Sequence, residues 1–295
     1  MRKLVEYKNG NTTVTLYKNG TRVLETEDQD FNFEFPLNND VIISHKCDGG
    51  CPYCYMDCTP SGKHADIMSP KFLDTVLPGT EMSINLNDLS HPQLIPFMER
   101  MKGRGIFLNG TINQIHFMKY HDLLKKLTDR QLLWGIGISL HQPSYEFIKR
   151  VKQFPNAVIH VINGIMSDTD IEMLRDNNLK ILILGYKDVG RGSEWIRDHN
   201  VIIKLRQRYL HDVLDTLPNH FAAVGFDNLA IEQLDARRLF TDEEWEEFYQ
   251  GDEGSATFAI DLVTKKFDRN SLELSDQSYD LLDNIKTMYE VIKHA

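Results

Sequence analysis

The chain has 295 residues, with 33 basic against 43 acidic side chains, a formal net charge of −10 and 41% apolar residues. That composition suits a globular protein with a sizeable core, while the acidic balance disfavours a long nucleic acid as partner, because polymer binding needs a basic footprint. No apolar run reaches the roughly 18 residues of a membrane span, and the start, Met1-Arg2-Lys3-Leu4-Val5-Glu6, turns charged again too soon for a signal peptide, so a cytoplasmic location with reduced thiols is expected.

Residues 12–26 alternate around Asn19-Gly20, a pair suited to the positive φ angles of a tight turn, and predict an N-terminal β-hairpin. An acidic connector follows at 25–32, and residues 1–39 read as an extension ahead of the main fold. From residue 40 the pattern changes to short apolar runs at 41–43, 82–86, 105–109, 134–139, 157–162 and 179–184. Between them lies room for helices, including 114–127, 167–177 and a segment opened by Ser69-Pro70. These six strand-plus-helix units over residues 40–200 predict an α/β fold with a parallel sheet. Right-handed crossovers leave two forms for it, an open doubly wound sheet or a barrel-like curl. The strands read as apolar nearly throughout. Residues 201–295 form a less regular α+β extension. It holds a seventh strand at 222–226, a helix starting at Thr241, a strand over 256–263 and a last helix over 275–293.

The stretch Cys47-Asp48-Gly49-Gly50-Cys51-Pro52-Tyr53-Cys54, just after the first of these strands, holds three of the four cysteines. Clustered thiols in a reducing compartment favour metal binding over a disulfide framework. Ferredoxin runs supply four thiolates per [4Fe–4S] cluster, so three on one loop leave an iron free for another ligand. Gly49, Gly50 and Pro52 let such a loop fold back on itself. The same residues with Cys58 also compose a four-cysteine zinc site, as in a non-catalytic binding protein. Cys58 otherwise reads as a small buried residue.

The CxxxCxxC spacing after the first strand of a βα series, with Tyr53 preceding the third cysteine, resembles the radical S-adenosylmethionine (SAM) superfamily over residues 40 to about 190. The resemblance implies a partial (β/α)6 TIM-like barrel and one [4Fe–4S] cluster held by Cys47, Cys51 and Cys54. It further implies that S-adenosylmethionine chelates the open iron and that an external one-electron reductant of flavodoxin or ferredoxin type drives its cleavage. The resulting 5′-deoxyadenosyl radical would abstract hydrogen from a small-molecule, nucleotide or short-peptide substrate. With no cysteine beyond Cys58, a second cluster on its own thiolates is excluded. The resemblance also carries cofactor contacts onto this chain. Tyr53 belongs to the loop, and Asn85, Asn87 and Asp88 meet the amino group in a stretch that departs from the family's Gly-Gly-Glu form. Ser139, closing a strand, meets the ribose or carboxylate; Asn109, closing another, meets a ribose hydroxyl or the substrate; and the backbone near Gly164 meets the adenine. Lys187 pairs with the cofactor carboxylate and Arg191 with an anionic group of the substrate. No residue is assigned to acid–base catalysis. A protein that binds cluster and cofactor as a sensor without turnover is a further alternative.

Overall fold

The computed structural model describes residues 1–249 and 251–295. Asn19-Gly20 makes the expected turn, with Gly20 at φ +90°. The hairpin is larger than expected: β1 (Lys3–Asn9), β2 (Thr12–Tyr17) and β3 (Arg22–Glu25) form a three-stranded antiparallel sheet. Its turn plugs one end of the main fold. Lys180 Nζ donates to the Asn19 carbonyl at 2.8 Å, and Asn156 Nδ2 to the Lys18 carbonyl at 3.3 Å.

The main sheet contains β4 (Asn38–Ile42), β5 (Glu81–Asn85), β6 (Phe107–Asn113), β7 (Gly135–Ser139), β8 (Ala157–Ile162), β9 (Lys180–Leu184) and β10 (Ala223–Phe226). These seven neighbour one another in sequence order and are all parallel. On the outer side of β4 lies β11 (Thr257–Asp261), also parallel, followed by the antiparallel β12 (Lys266–Asp268) and β13 (Tyr279–Asp280). The sheet is open, with β10 and β13 as edges, so a closed TIM-like barrel does not form. Nor does the run from β4 to β10 show the reversal of a doubly wound sheet.

Helices fill the crossovers: α1 (Leu94–Gly103), α2 (Gln114–Lys119), α3 (His121–Asp129), α4 (Tyr145–Val151), α5 (Asp168–Leu174) and α6 (Arg191–Val213). Three departures from the sequence reading have local causes. The segment after Ser69-Pro70 is a single 3₁₀ turn (Lys71–Thr75), ended by extended backbone at Val76. The stretch 114–127 is two helices, parted at Tyr120 by its non-helical φ −110°, ψ 20°. The long α6, unanticipated and kinked at His199, runs straight through residue 200. Beyond it come α7 (Asn228–Leu234), α8 (Asp242–Phe248), opened by a Thr241–Glu244 capping box, and α9 (Ile285–Lys293). The last helix is shorter than 275–293, because β13 occupies part of that stretch.

Successive strand residues face opposite sides, and here the two sides differ in chemistry. Met82, Ile84, Ile136, Ile138, Ile159 and Ile183 are buried beneath the helices, with Phe97, Phe117 and Phe147 packed in the same core. The alternate residues border a cavity of about 1000 Å³ and include Asp40, Ser83, Asn85, Thr111, Ser139 and His160. The strands are therefore half polar, not apolar throughout. The C-terminal extension is locked on by aromatic packing: Phe258 of β11 lies 6.0 Å from Phe267 and 6.2 Å from Tyr289 of α9, centroid to centroid. Truncating this fully buried ring leaves a large void, so Phe258→Ala should cost about 3–5 kcal/mol of unfolding free energy in urea titration. A loss below about 1 kcal/mol would show that the extension contributes little to the cooperative unit.

Candidate functional site

The cysteine loop leaves the C-terminal end of β4 and is moored on every side. At its base, Cys47 N–H donates to the Thr59 carbonyl at 2.9 Å and Ala65 N–H to the Ile43 carbonyl at 3.0 Å. Towards β5, Asn85 Oδ1 accepts from Ile43 N–H at 2.7 Å while its Nδ2 donates to the Ser44 carbonyl at 2.7 Å. Asn87, in the left-handed region at φ +45°, donates to the carbonyls of Ser44 and Lys46 at 2.9 and 2.8 Å. Towards α2, the Asp48 carboxylate meets the buried His116 Nε2 at 2.5 Å, which holds that carboxyl below its usual range. Towards β11, His45 Nε2 meets Asp261 Oδ2 at 2.9 Å.

The strongest tether comes from Arg191. Its guanidinium donates to the carbonyls of Cys51 at 3.2 Å and Cys58 at 3.1 Å, and its backbone N–H donates to the Cys54 carbonyl at 3.2 Å and to Asp57 Oδ1 at 2.8 Å. The approach is close enough to demand glycine beside it. A Cβ at Gly190, already at φ +56°, would stand 2.5 Å from the Tyr55 carbonyl oxygen. Arg191 is thus committed to the loop backbone and is not free for a substrate anion.

The sulfurs sit in unequal surroundings. Cys47, Cys51 and Cys54 are half-buried and Cys58 is buried, and all four border the cavity. The neighbouring Cys58 thiol, the backbone N–H groups of Cys58 and Met56, and Arg191 hold the Cys54 thiol below its usual range. Burial pushes Cys51 up to about 11, and His141 Nε2 lies 3.3 Å from its sulfur. Among the described residues, no three or more His, Cys, Asp or Glu side chains are grouped to hold a single metal ion. That arrangement lacks the closed tetrahedral set of a structural zinc site.

The remaining sequence candidates separate into two groups. Tyr53, Ser139 and Lys187 reach the cavity around the loop. Tyr53 packs 6.1 Å from both His141 and Trp195. Ser139 ends β7 on the rim, and among the described residues its hydroxyl has no hydrogen-bond partner. Lys187 lies 4.1 Å above the Tyr55 ring and donates to Ser271 Oγ at 3.2 Å. Asn85 and Asn87 also border the cavity, but their amides serve the loop. Asn109 borders the cavity too, while Asp88 and Gly164 lie outside it. Asp88 accepts from Ser90 N–H at 3.0 Å and Ser90 Oγ at 2.6 Å, closing a turn. Gly164 adopts φ +87° against α6, where a Cβ would stand 2.8 Å from Ile203. Asn109 does not close its strand, because β6 continues to Asn113; it donates to Glu81 Oε1 at 2.9 Å near the plugged end.

Sequence reasoning missed Asn113, His116, His141 and His160. Gly49 carried a partial signal, since a Cβ there would stand 2.4 Å from Asn113 Nδ2; the histidines carry none in their spacing. No protein-family model, curated protein or solved structure matches the chain.

Hydrogen bonds from a charged donor contribute about 1.5–3 kcal/mol each, so Arg191→Ala should loosen the loop selectively. Amide exchange across residues 47–59 is expected to accelerate about 10- to 100-fold while β7 and β8 keep their protection. Unchanged exchange in the loop would remove Arg191 from this role.

Proposed function

We propose that this chain is a radical S-adenosylmethionine enzyme that acts on a small molecule or short peptide held in the cavity of its sheet. One observation carries the reading: the three motif cysteines stand on a moored loop at the C-terminal end of β4, and all of them border the large cavity. Open parallel sheets bind ligands at that end of their strands. The sequential run β4–β10 is compatible with a partial-barrel arrangement.

The donor set fits the implied group. Cys47, Cys51 and Cys54 would hold a [4Fe–4S] cluster, and S-adenosylmethionine would occupy the adjoining rim. Bound there, the pair supplies a 5′-deoxyadenosyl radical able to take hydrogen from an unactivated carbon. The chain's own residues do the rest. Cys58, the nearby backbone donors and Arg191 lower Cys54 towards the thiolate, the form that ligates metal. Asn85, Asn87 and Arg191 fix the loop so that little ordering is left for binding. The free Ser139 hydroxyl offers a hydrogen bond at the rim, and Lys187 offers a positive charge. Tyr53, between His141 and Trp195, shields the inner side of the loop. Electrons would come from an external flavodoxin- or ferredoxin-type donor in a reducing, cytoplasmic setting. Among the described residues no helix is long and apolar enough to cross a membrane.

Anaerobic reconstitution with iron and sulfide should load about four irons per chain with broad absorption near ~400 nm. Replacing Cys47, Cys51 or Cys54 by Ala should abolish loading, whereas Cys58→Ala should retain it. Dithionite and S-adenosylmethionine should then release 5′-deoxyadenosine. Stoichiometric zinc without iron would sink this reading, and a loaded cluster that releases no 5′-deoxyadenosine would leave a sensor in its place.

A further inference from the structure

Beyond the cysteine loop, the cavity carries carboxylates that outnumber its cations. Asp40, at the middle of β4, opens into the cavity, and among the described residues its side chain has one partner, Asn38 Nδ2 at 3.2 Å. Glu253, in the loop before β11, borders the same space, with no side-chain hydrogen bond or ion pair among the described residues. Asp227, Asp40 and Glu273 all add negative field at Glu253, and Lys187 is the cation that opposes it. The Lys187 ammonium is itself shared between Ser271 Oγ and the Tyr55 ring. The other charges of the cavity are occupied: Glu81 with Arg22 and Asn109, Lys180 with the Asn19 and Pro155 carbonyls. The surrounding protein raises both Asp40 and Glu253, although both residues stay open to the cavity.

A second feature points the same way. His160 projects from β8 into the cavity, and among the described residues neither ring nitrogen has a hydrogen-bond partner. The ring has its place because residue 137 is glycine, where a Cβ would stand 2.4 Å from His160 Cε1 and 2.5 Å from Nε2. Desolvation pulls the imidazole down to about 4, so it is neutral and presents one donor and one acceptor. A neutral ring with both nitrogens unused, lining the same cavity as these carboxylates, is equipped for a polar ligand.

We propose that the cavity receives a small substrate bearing a primary amine, its ammonium held by Asp40 and Glu253 and a hydroxyl or carbonyl of the same molecule held by His160. Charge-assisted hydrogen bonds to two carboxylates that lack a paired cation exceed what a neutral hydroxyl could gain there. The inference rests on the cavity being the active site of the proposed enzyme, yet binding needs neither cluster nor turnover.

The test uses matched pairs that differ by the amine: glucosamine against glucose, and ethanolamine against ethylene glycol, added to the full chain. At about 10 mM, at least one amine should raise the melting temperature by a few degrees while its neutral partner does not. Calorimetric affinity for that amine should fall about tenfold or more in Asp40→Asn and in Glu253→Gln, the loss expected from a charge-assisted bond. His160→Gln should weaken glucosamine more than ethanolamine. Should either near-isosteric carboxyl variant fail to fold, the amine-against-neutral difference on the native chain still decides. Equal response to amine and neutral partner, no response to either amine, or undiminished binding in both carboxyl variants would overturn the inference. So would Asp40→Asn weakening S-adenosylmethionine alone, since the acidic wall would then serve the cofactor. Release of 5′-deoxyadenosine without amine binding removes this inference only; amine binding in a chain that takes no cluster removes the enzyme reading only.

Discussion

The arrangement of the site depends on where the cysteine loop's backbone carbonyls end. Those of Cys51, Cys54 and Cys58 all terminate on Arg191. A loop that leaves a strand end and folds back strips its carbonyls of ladder partners, and those groups need other donors when covered. Arg191 supplies them from the N-terminus of α6, after β9, far from the loop in sequence. The glycines around it serve close backbone packing, Gly190 against the cysteine loop and Gly192 within its own turn. Gly190 lets the backbone approach Tyr55, and a Cβ at Gly192 would stand 2.3 Å from the Lys187 carbonyl oxygen. What resembles an anion-binding loop in sequence is a buttress in structure.

The same economy explains Asn85 and Asn87. Polar side chains at the end of the second main-sheet strand would ordinarily suggest ligand contacts, yet their amides are spent on Ile43, Ser44 and Lys46. Fixing the loop from β5 matters because β4 and β5 pair directly, so a shift of either strand would carry the cysteines with it. Rigid elements hold a site more precisely than loops do. This one borrows rigidity from β5, α2, β11 and α6 together.

Much of the fold was legible, for a definite reason. Runs such as Ala157-Val158-Ile159-His160-Val161-Ile162 bury alternate side chains beneath helices, and β-branched residues suit that packing. Strand positions 134–139, 157–162 and 179–184 are therefore found within a residue or so. Less legible was the side facing the cavity. His160 sat inside a run that looked apolar and Asp40 just ahead of one, and their significance emerges only when the strands bring their residues to a common space. Asn109 misled because β6 extends four residues past it, through Gly110-Thr111-Ile112-Asn113, where glycine and asparagine ordinarily signal a turn. The loop's tethers were illegible for another reason: Asp48–His116 and Arg191–Cys51 span 68 and 140 residues. No local pattern encodes such a pair.

Cys58 shows how a fourth thiol can matter without joining the other three. It is 7% exposed, accepts a long contact from Asn87 Nδ2 at 3.9 Å, and is the leading influence that lowers the Cys54 thiol. Hydrogen bonds to ligand sulfurs are among the factors that set cluster potentials, and partners one step removed from a metal orient and tune its ligands. The unequal sulfur surroundings acquire a rationale on that basis. Burial raises Cys47 and Cys51, whereas the surroundings of Cys54 lower it. If the loop holds a cluster as proposed, Cys47 and Cys51 would have to release protons on ligation, because thiolates are the form that binds metal.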